Sequence, residues 1–565
     1  MRNSIQLGIV SLSLILAACG RVAGSSSNGQ PGGSGVGSGG RGQGELPTSG
    51  SGGADTSGGA NAGAAGAVEA TDTDWEGAPI YTRVARLTSS QWDHSVTDIL
   101  RLSAPSNLSK AFEPAIAGVT EFTNNERVLV VGARQFVDFE AAAEAAAALA
   151  TESDGALAAL SGDTTREGFV RDFGKRAFRR PLTPDEEVKY QQVFARGETL
   201  YGAGFAHGAS LVIRAMLQSP KFLYRSELGP VGEPLNAYEL ASKLSFWLLD
   251  TTPSDALLDA AAAGKLDSID ALEATARQML EDPRSRGVMR DFHEQLYHLD
   301  WPWPNTFSRV PELTDALHAE VVESSYRFFD DVLARDQGLR EILTSERAFL
   351  GPNLAPLYGV TRAPSAIEAR VVGPSRIGYF MQVPFLLFTG LEGRPNSILR
   401  GALLQQNVLC RVLAKPAIFV SLPSQPANQT NRQNVSASTD FCGSKCHHDY
   451  INPLGFAFES FDSLGRERQT DNGLPVDTSG RYPFAAGVQD FADARELMTI
   501  LAGSKQAYTC YAKKMTGYAL QRDIVERDSA FVETLADGKA SESIKELVVS
   551  LIKAPAFRVR EGGNP

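Results

Sequence analysis

Positive charge is in short supply in this chain: 54 lysines and arginines face 66 aspartates and glutamates, for a net charge of −12. Nucleic-acid binding needs clustered Lys and Arg to meet the phosphates, so that class of partner is excluded. Long apolar runs are also missing after residue 20, where no stretch reaches the roughly 20 apolar residues that cross a bilayer. No internal repeat recurs, and alternating strand patterns are few; Arg370-Val371-Val372 and the stretch from Ile418 to Leu422 are the clearest. What remains has the balance of a soluble globular protein, 43% hydrophobic and 21% charged. From about residue 72 onward the chain exceeds one core, and two to four packed units are expected.

The N-terminus carries an address. Arg2, an apolar run from Leu7 to Leu16 and the small residues Ala17 and Ala18 make a secretory signal over 1–18. The ending Leu16-Ala17-Ala18-Cys19 matches the bacterial lipobox, which implies cleavage before Cys19 and lipidation of its sulfur. The alternative is a plain signal peptide with an incidental cysteine. Acyl chains on Cys19 would make a membrane the first partner. Gly20 in place of an aspartate resembles lipoproteins of the outer membrane, facing periplasm or exterior. From Gly20 to about Thr71 the chain is nearly all Gly, Ser, Ala, Asn and Pro, a composition that stays a disordered tether. Its Gly35-Val36-Gly37-Ser38-Gly39-Gly40 fits G-x-G-x-x-G by chance, with no strand before it or helix after it.

Helical periodicity dominates the rest, which predicts a mainly α fold. Leu240, Leu244, Trp247 and Leu248 share one face of a helix beginning near Asn236, and Thr251-Thr252-Pro253 ends it. Phe136 to Leu149 reads as an alanine-rich helix. Thr183 is placed to cap a helix with Pro184 in its first position and acids in its first turn, and Asp282-Pro283-Arg284 separates two more. Between about 416 and 482 the chain becomes loop-rich and holds its unusual residues.

Several motifs recur in an order that resembles a bacterial family of five consecutive domains of unknown function, numbered 1587, 1595, 1592, 1588 and 1585. Arg86-Leu87-Thr88-Ser89-Ser90-Gln91-Trp92 with Asp98-Ile99-Leu100 is similar to the first, and Ala177-Phe178-Arg179-Arg180-Pro181-Leu182-Thr183 to the second. Leu244-Ser245-Phe246-Trp247-Leu248 and Asn353-Leu354-Ala355-Pro356-Leu357-Tyr358-Gly359 are similar to the third. Arg376-Ile377-Gly378, Arg400-Gly401, Cys446-His447 and the run from Asn452 to Glu459 resemble the fourth, and Tyr511 through Arg522 the last. The resemblance implies helical segments at 80–150, 161–228 and 233–362, a cytochrome-like loop-rich segment at 374–482 and a C-terminal helical segment at 488–560. It names relatives without naming a reaction.

Cys442-Gly443-Ser444-Lys445-Cys446-His447 is the sharpest chemical feature. Covalent haem attachment needs two thiols for the vinyl groups and a histidine directly after the second to reach the iron. Cys442, Cys446 and His447 supply these for haem c, with three residues between the cysteines where relatives mostly show two. A local disulfide, a zinc site using the same three side chains and an unligated loop are the competing readings. Met381, Met498, Met515 and His448 are the nearby candidates for a distal ligand, but each is read first as core or surface, and none is assigned. Cys410 and Cys510 are a candidate disulfide or a pair of buried thiols; four cysteines allow three pairings. Glu459, Asp462, Asp471 and Asp477 follow the cysteines but lack the spacing of a calcium loop, so calcium is disfavoured.

Two further motifs fail. His293 and His298 are five apart, where a zinc-protease helix needs four, and Gly208-Ala209-Ser210-Leu211-Val212 lacks the closing glycine of a nucleophile elbow. His94, His207 and His318 stand alone as ordinary helix residues. The leading expectation is thus a cell-envelope lipoprotein with a c-type haem and a redox partner protein. The alternative is a non-redox structural or ligand-binding lipoprotein with the same cysteines in a disulfide. A hydrolase ranks third, and no catalytic residue is assigned.

Overall fold

Helices start where the sequence supplies caps. In this computed structural model, which describes residues 80–114, 120–300, 310–412, 424–440 and 444–560, the fold is mainly α. The signal peptide, Cys19 and the tether lie outside the described residues. Thr183 Oγ1 accepts from the Glu186 amide while the Glu186 carboxylate accepts from the Thr183 amide, and Pro184 opens helix Pro184–Tyr201. Asn236 and Glu239 close the same box on helix Ala237–Leu249, Thr88 and Gln91 on Ser89–Ile99, and Asp282 caps Pro283–Tyr297. The alanine-rich helix runs Ala133–Ala150. Strands come only as antiparallel pairs among the described residues. Ile80–Arg86 lies beside Tyr224–Pro230, and Glu368–Val371, which contains part of the expected strand at Arg370, beside Arg347–Leu350. The expected strand from Ile418 lies outside the described residues.

Two large apolar cores hold the body. The first gathers Trp92, Phe112, Phe139, Phe173, Val212 and Phe222; the second runs from Phe122 through Phe292, Tyr379 and Leu454 to Phe557. Helix Ala237–Leu249 is their joint: Phe246 packs into the first while Leu244, Trp247 and Leu248 pack into the second. The sequence shows one apolar face, yet polar residues on the other sides are buried too. Lys243, 4% exposed, pairs with Glu227 at 3.2 Å, and Arg83 reaches the same carboxylate at 3.4 Å. Burial lowers the Lys243 ammonium to about 8. Burial also opposes ionisation of Glu227, but Lys243, Arg83 and Arg225 outweigh it and hold the carboxyl at about 2. The pair is therefore charged at neutral pH, and removing one partner would strand the other. The described residues from 80 onward form one unit that contains both cores. The chain end folds back on this joint, where Val559 bridges Pro234 and Arg560 binds Glu239. Cys410 and Cys510 form a disulfide with Cα atoms 5.3 Å apart, tying the chain after the segment Leu404–Val408 to helix Lys505–Leu520.

Candidate functional site

Helix Ser397–Leu403 and helix Asn452–Phe456 touch backbone to backbone because glycine stands at the crossing on both sides. A Cβ on Gly401 would meet the Ile451 carbonyl oxygen at 2.0 Å, and one on Gly455 the Ser397 carbonyl oxygen at 1.8 Å. This contact fixes the segment that carries His447. Residues Ser444–Ile451 form a π-helical stretch running directly into Asn452–Phe456. Such wide turns are rare and are frequently found at functional sites.

His447 is 2% exposed, and its Nδ1 lies 3.4 Å from Asn452 Oδ1, a long but formed hydrogen bond. The network around it decides which ring nitrogen carries the proton. Thr439 Oγ1 donates to the Val435 carbonyl at 2.8 Å and so accepts from Asn452 Nδ2 at 2.9 Å. That leaves Asn452 Oδ1 turned to the ring, which places the proton on Nδ1 and the lone pair on Nε2. Burial, partly offset by Asn452, holds the imidazole below its ordinary value, so it is neutral at pH 7. A neutral imidazole with Nδ1–H held by an amide oxygen is how metal-ligating histidines are oriented. Cys446 sits half-buried beside it, and Cys442 lies outside the described residues.

The neighbouring acids are paired with side chains. Glu459, 1% exposed, accepts from Asn431 Nδ2 at 2.7 Å, binds the Ser397 hydroxyl and pairs with Arg468 at 2.8 Å. Burial raises its carboxyl despite these partners. Arg468 also holds Asp471 at 2.9 Å, while Asp462 pairs with Arg466 and Asp477 with Arg432. Each acid thus faces an arginine, and among the described residues no three His, Cys, Asp or Glu side chains are grouped to hold a metal ion. Arg400, fully buried, donates to the carbonyls of Leu386, Phe458 and Asp462, and Arg376 to those of Met381 and Gly465. These arginines fasten the loop segment to the second core.

Of the distal candidates, Met381, Met498 and Met515 are buried in that core, and His448 is exposed and paired with Asp449 at 3.1 Å. His293 and His298 are separated as expected: His293 is buried within its helix, and His298 takes the left-handed position that ends it. Sequence reasoning missed the roles of Asn452 and Thr439. The only signal was Asn452 five residues after His447.

No helix among the described residues is long and apolar enough to cross a membrane. Comparison with curated proteins and with solved structures finds no match. Five family models, each described as a protein of unknown function, match in sequence: DUF1587 at 85–152, DUF1595 at 165–227, DUF1592 at 235–360, DUF1588 at 376–471 and DUF1585 at 488–557. The His447 site falls inside the fourth match. With all five segments present in this order, the chain belongs to the multi-domain family built from these proteins of unknown function.

Proposed function

We propose that this protein is a cell-envelope redox lipoprotein whose loop segment holds haem c through Cys442 and Cys446, with His447 as axial ligand. The observation that carries the reading is the tautomer of His447. A buried neutral imidazole, with Nδ1–H held by Asn452 and a bare Nε2 lone pair, suits a haem iron and has no need in a plain disulfide loop. Bound haem c supplies one-electron exchange with a partner protein. The chain's own residues bind it and set its surroundings: the thiols of Cys442 and Cys446 attach it, Asn452 orients the imidazole, and Arg400 with the Gly401–Gly455 contact keeps the segment in place.

The test is production in a host competent for haem attachment. The denatured protein is expected to keep haem colour on a gel. Cys442→Ala should lose covalent attachment, and His447→Ala should change the absorption spectrum while the helical body stays folded. A colourless protein with no free thiol at either cysteine before reduction would establish the disulfide instead. Zinc that co-purifies and leaves with a chelator would establish the metal site.

Anchoring is a separate part of the proposal. Acyl chains on Cys19 are the anchor, and Cys19→Ser should move the protein from the membrane fraction to the soluble fraction. Retention of that variant on salt-washed membranes refutes the lipid anchor and leaves the haem reading standing.

A further inference from the structure

A cavity of about 510 Å³ opens between helices Ser89–Ile99, Arg166–Phe178, Ala237–Leu249, Asp255–Ala262 and Ile269–Leu280. It lies along the seam of the two cores, with Ile99 of the first and Met279 of the second in its wall. Leu249 and Leu257 extend the apolar side, and the volume falls in the range of about 300–1,000 Å³ that small-molecule sites occupy. None of this cavity belongs to the cysteine loop.

Arginines and aspartates stand in the wall in equal number: Arg101, Arg176 and Arg284 against Asp98, Asp255 and Asp282. Two of the arginines are engaged. Arg101 pairs with Asp255 at 3.1 Å, and Arg284 with Asp282 at 2.8 Å and Asp98 at 3.5 Å. Asp98 also accepts from the Thr251 hydroxyl at 2.8 Å. Both of these arginine side chains are about half exposed, and pairs of that kind contribute little to stability.

Arg176 is different. It is 7% exposed, and no carboxylate among the described residues lies within ion-pair distance of it. Its Nη2 donates to the Leu160 carbonyl, and its Nε is sealed among protein atoms, where nothing in the cavity reaches it. Nη1 is the remaining end. It has no partner among the described residues and is not sealed, so it is open where Arg176 meets the cavity. Burial lowers the guanidinium from its ordinary value and Asp255 opposes the fall, but an arginine keeps its charge at neutral pH. A buried charge without a counter-ion is costly, and Asp255 is already held by Arg101. The cavity is the space from which a counter-ion can come.

We propose that this cavity binds a small monocarboxylate with an apolar tail. The carboxylate accepts from Arg176 Nη1, and the tail lies against Ile99, Leu249, Leu257 and Met279. The balance of the wall selects a single charge. One negative charge is matched by Arg176, whereas a second would face Asp98, Asp255 and Asp282 with no unengaged arginine left in the wall.

The probe is hexanoate, titrated calorimetrically into the full-length protein at about pH 8 against two controls with the same tail. 1-Hexanol has no charge, and hexyl phosphate carries two. Saturable binding of hexanoate is expected, with each control at least about tenfold weaker. Arg176→Met should weaken hexanoate by about tenfold or more and leave 1-hexanol where it was, whereas general damage to the fold weakens both. Ala256→Trp, at an exposed position in the cavity wall, should fill the space and weaken hexanoate and 1-hexanol together without lowering the melting temperature. This variant and the comparison of ligands on the parent protein test the site even where Arg176→Met fails to fold. Hexanoate bound no better than 1-hexanol overturns the assignment, as does tighter binding of the phosphate. Hexanoate binding that survives either substitution, or equal weakening of hexanoate and 1-hexanol by Arg176→Met, overturns it too. Failure of all three compounds to bind means that water alone meets Arg176 and the proposal is wrong.

Discussion

Replacing His293 with phenylalanine should make the protein less stable at neutral pH and more stable in acid, with the two unfolding curves crossing at about pH 5. His293 is 1% exposed and stacked on Phe329, ring centres 4.3 Å apart and planes 22° from parallel. Its Nδ1 lies 2.7 Å from the Met289 carbonyl and must donate, so Nε2 accepts from the Tyr511 hydroxyl at 2.8 Å. Burial lowers the imidazole to about 3, against an ordinary 6.5. The folded-state value lies below the unfolded one, so the folded protein refuses a proton that the unfolded chain accepts. The stability this gives is complete above pH 6.5 and is lost as pH falls toward 3. By pH 4.5 the loss is about 3 kcal/mol. His298, which burial holds at about 4, adds a similar loss common to both proteins, so the difference between them isolates His293. Phenylalanine keeps the stack and removes the titration, but it strands the buried Tyr511 hydroxyl at a cost of about 1–3 kcal/mol. Urea unfolding at pH 7 and at pH 4.5 checks both signs. A variant that loses stability in acid as steeply as the parent would show that His293 is not the group responsible.

The contrast between His293 and the helix caps shows what a sequence discloses. Thr183, Asn236 and Asp282 were legible because a cap acts within four residues, and the chemistry that makes a cap is local. The four-residue face of helix Ala237–Leu249 was legible for the same reason. Its other sides were not, because Lys243 is held by Glu227 and Arg83, partners brought in by a strand pair. His293 drew notice only through a failed metal motif, and its aromatic surroundings come from residues as distant as Tyr511. The cysteine pairing stayed open because parity allows three answers, and only the fold brings Cys410 to Cys510 across 100 residues.

In the candidate site the identities of Cys446 and His447 were visible, while the reason for the protonation state of His447 was not. It runs through Thr439 and Asn452, which no spacing rule connects. The acids after the cysteines gave the reverse lesson. Arg432, Arg466 and Arg468 stand in the same stretch, and their charges were a local sign that Asp477, Asp462 and Glu459 are paired with side chains.

The largest structural effect is expected from one added methyl group. Gly455→Ala or Gly401→Ala should cost about 3 kcal/mol or more, beyond the usual range for an extra methylene in a core. Ordinary overpacking is relieved by rotating a side chain, but here the obstacle is backbone on both sides. The new Cβ would lie 1.8 Å from the Ser397 carbonyl oxygen in one case and 2.0 Å from that of Ile451 in the other. Relief therefore requires moving helix Ser397–Leu403 away from Asn452–Phe456. That motion pulls Ser397 from Glu459 and Arg400 from the Phe458 carbonyl, so the methyl also breaks a buried polar network whose members lie at most 1% exposed. Gly517→Ala is the matching control. It lies inside helix Lys505–Leu520, where a Cβ meets Ile524 and Arg522 at an ordinary 3.5 and 3.6 Å. There alanine should be neutral or stabilise by up to about 1 kcal/mol, since it orders a helix better than glycine. Thermal unfolding separates the three variants, and protease should cut the first two, but not the control, within 424–471. Comparable melting temperatures for all three would mean that the two helices can part without cost, and that the contact does not set the position of His447.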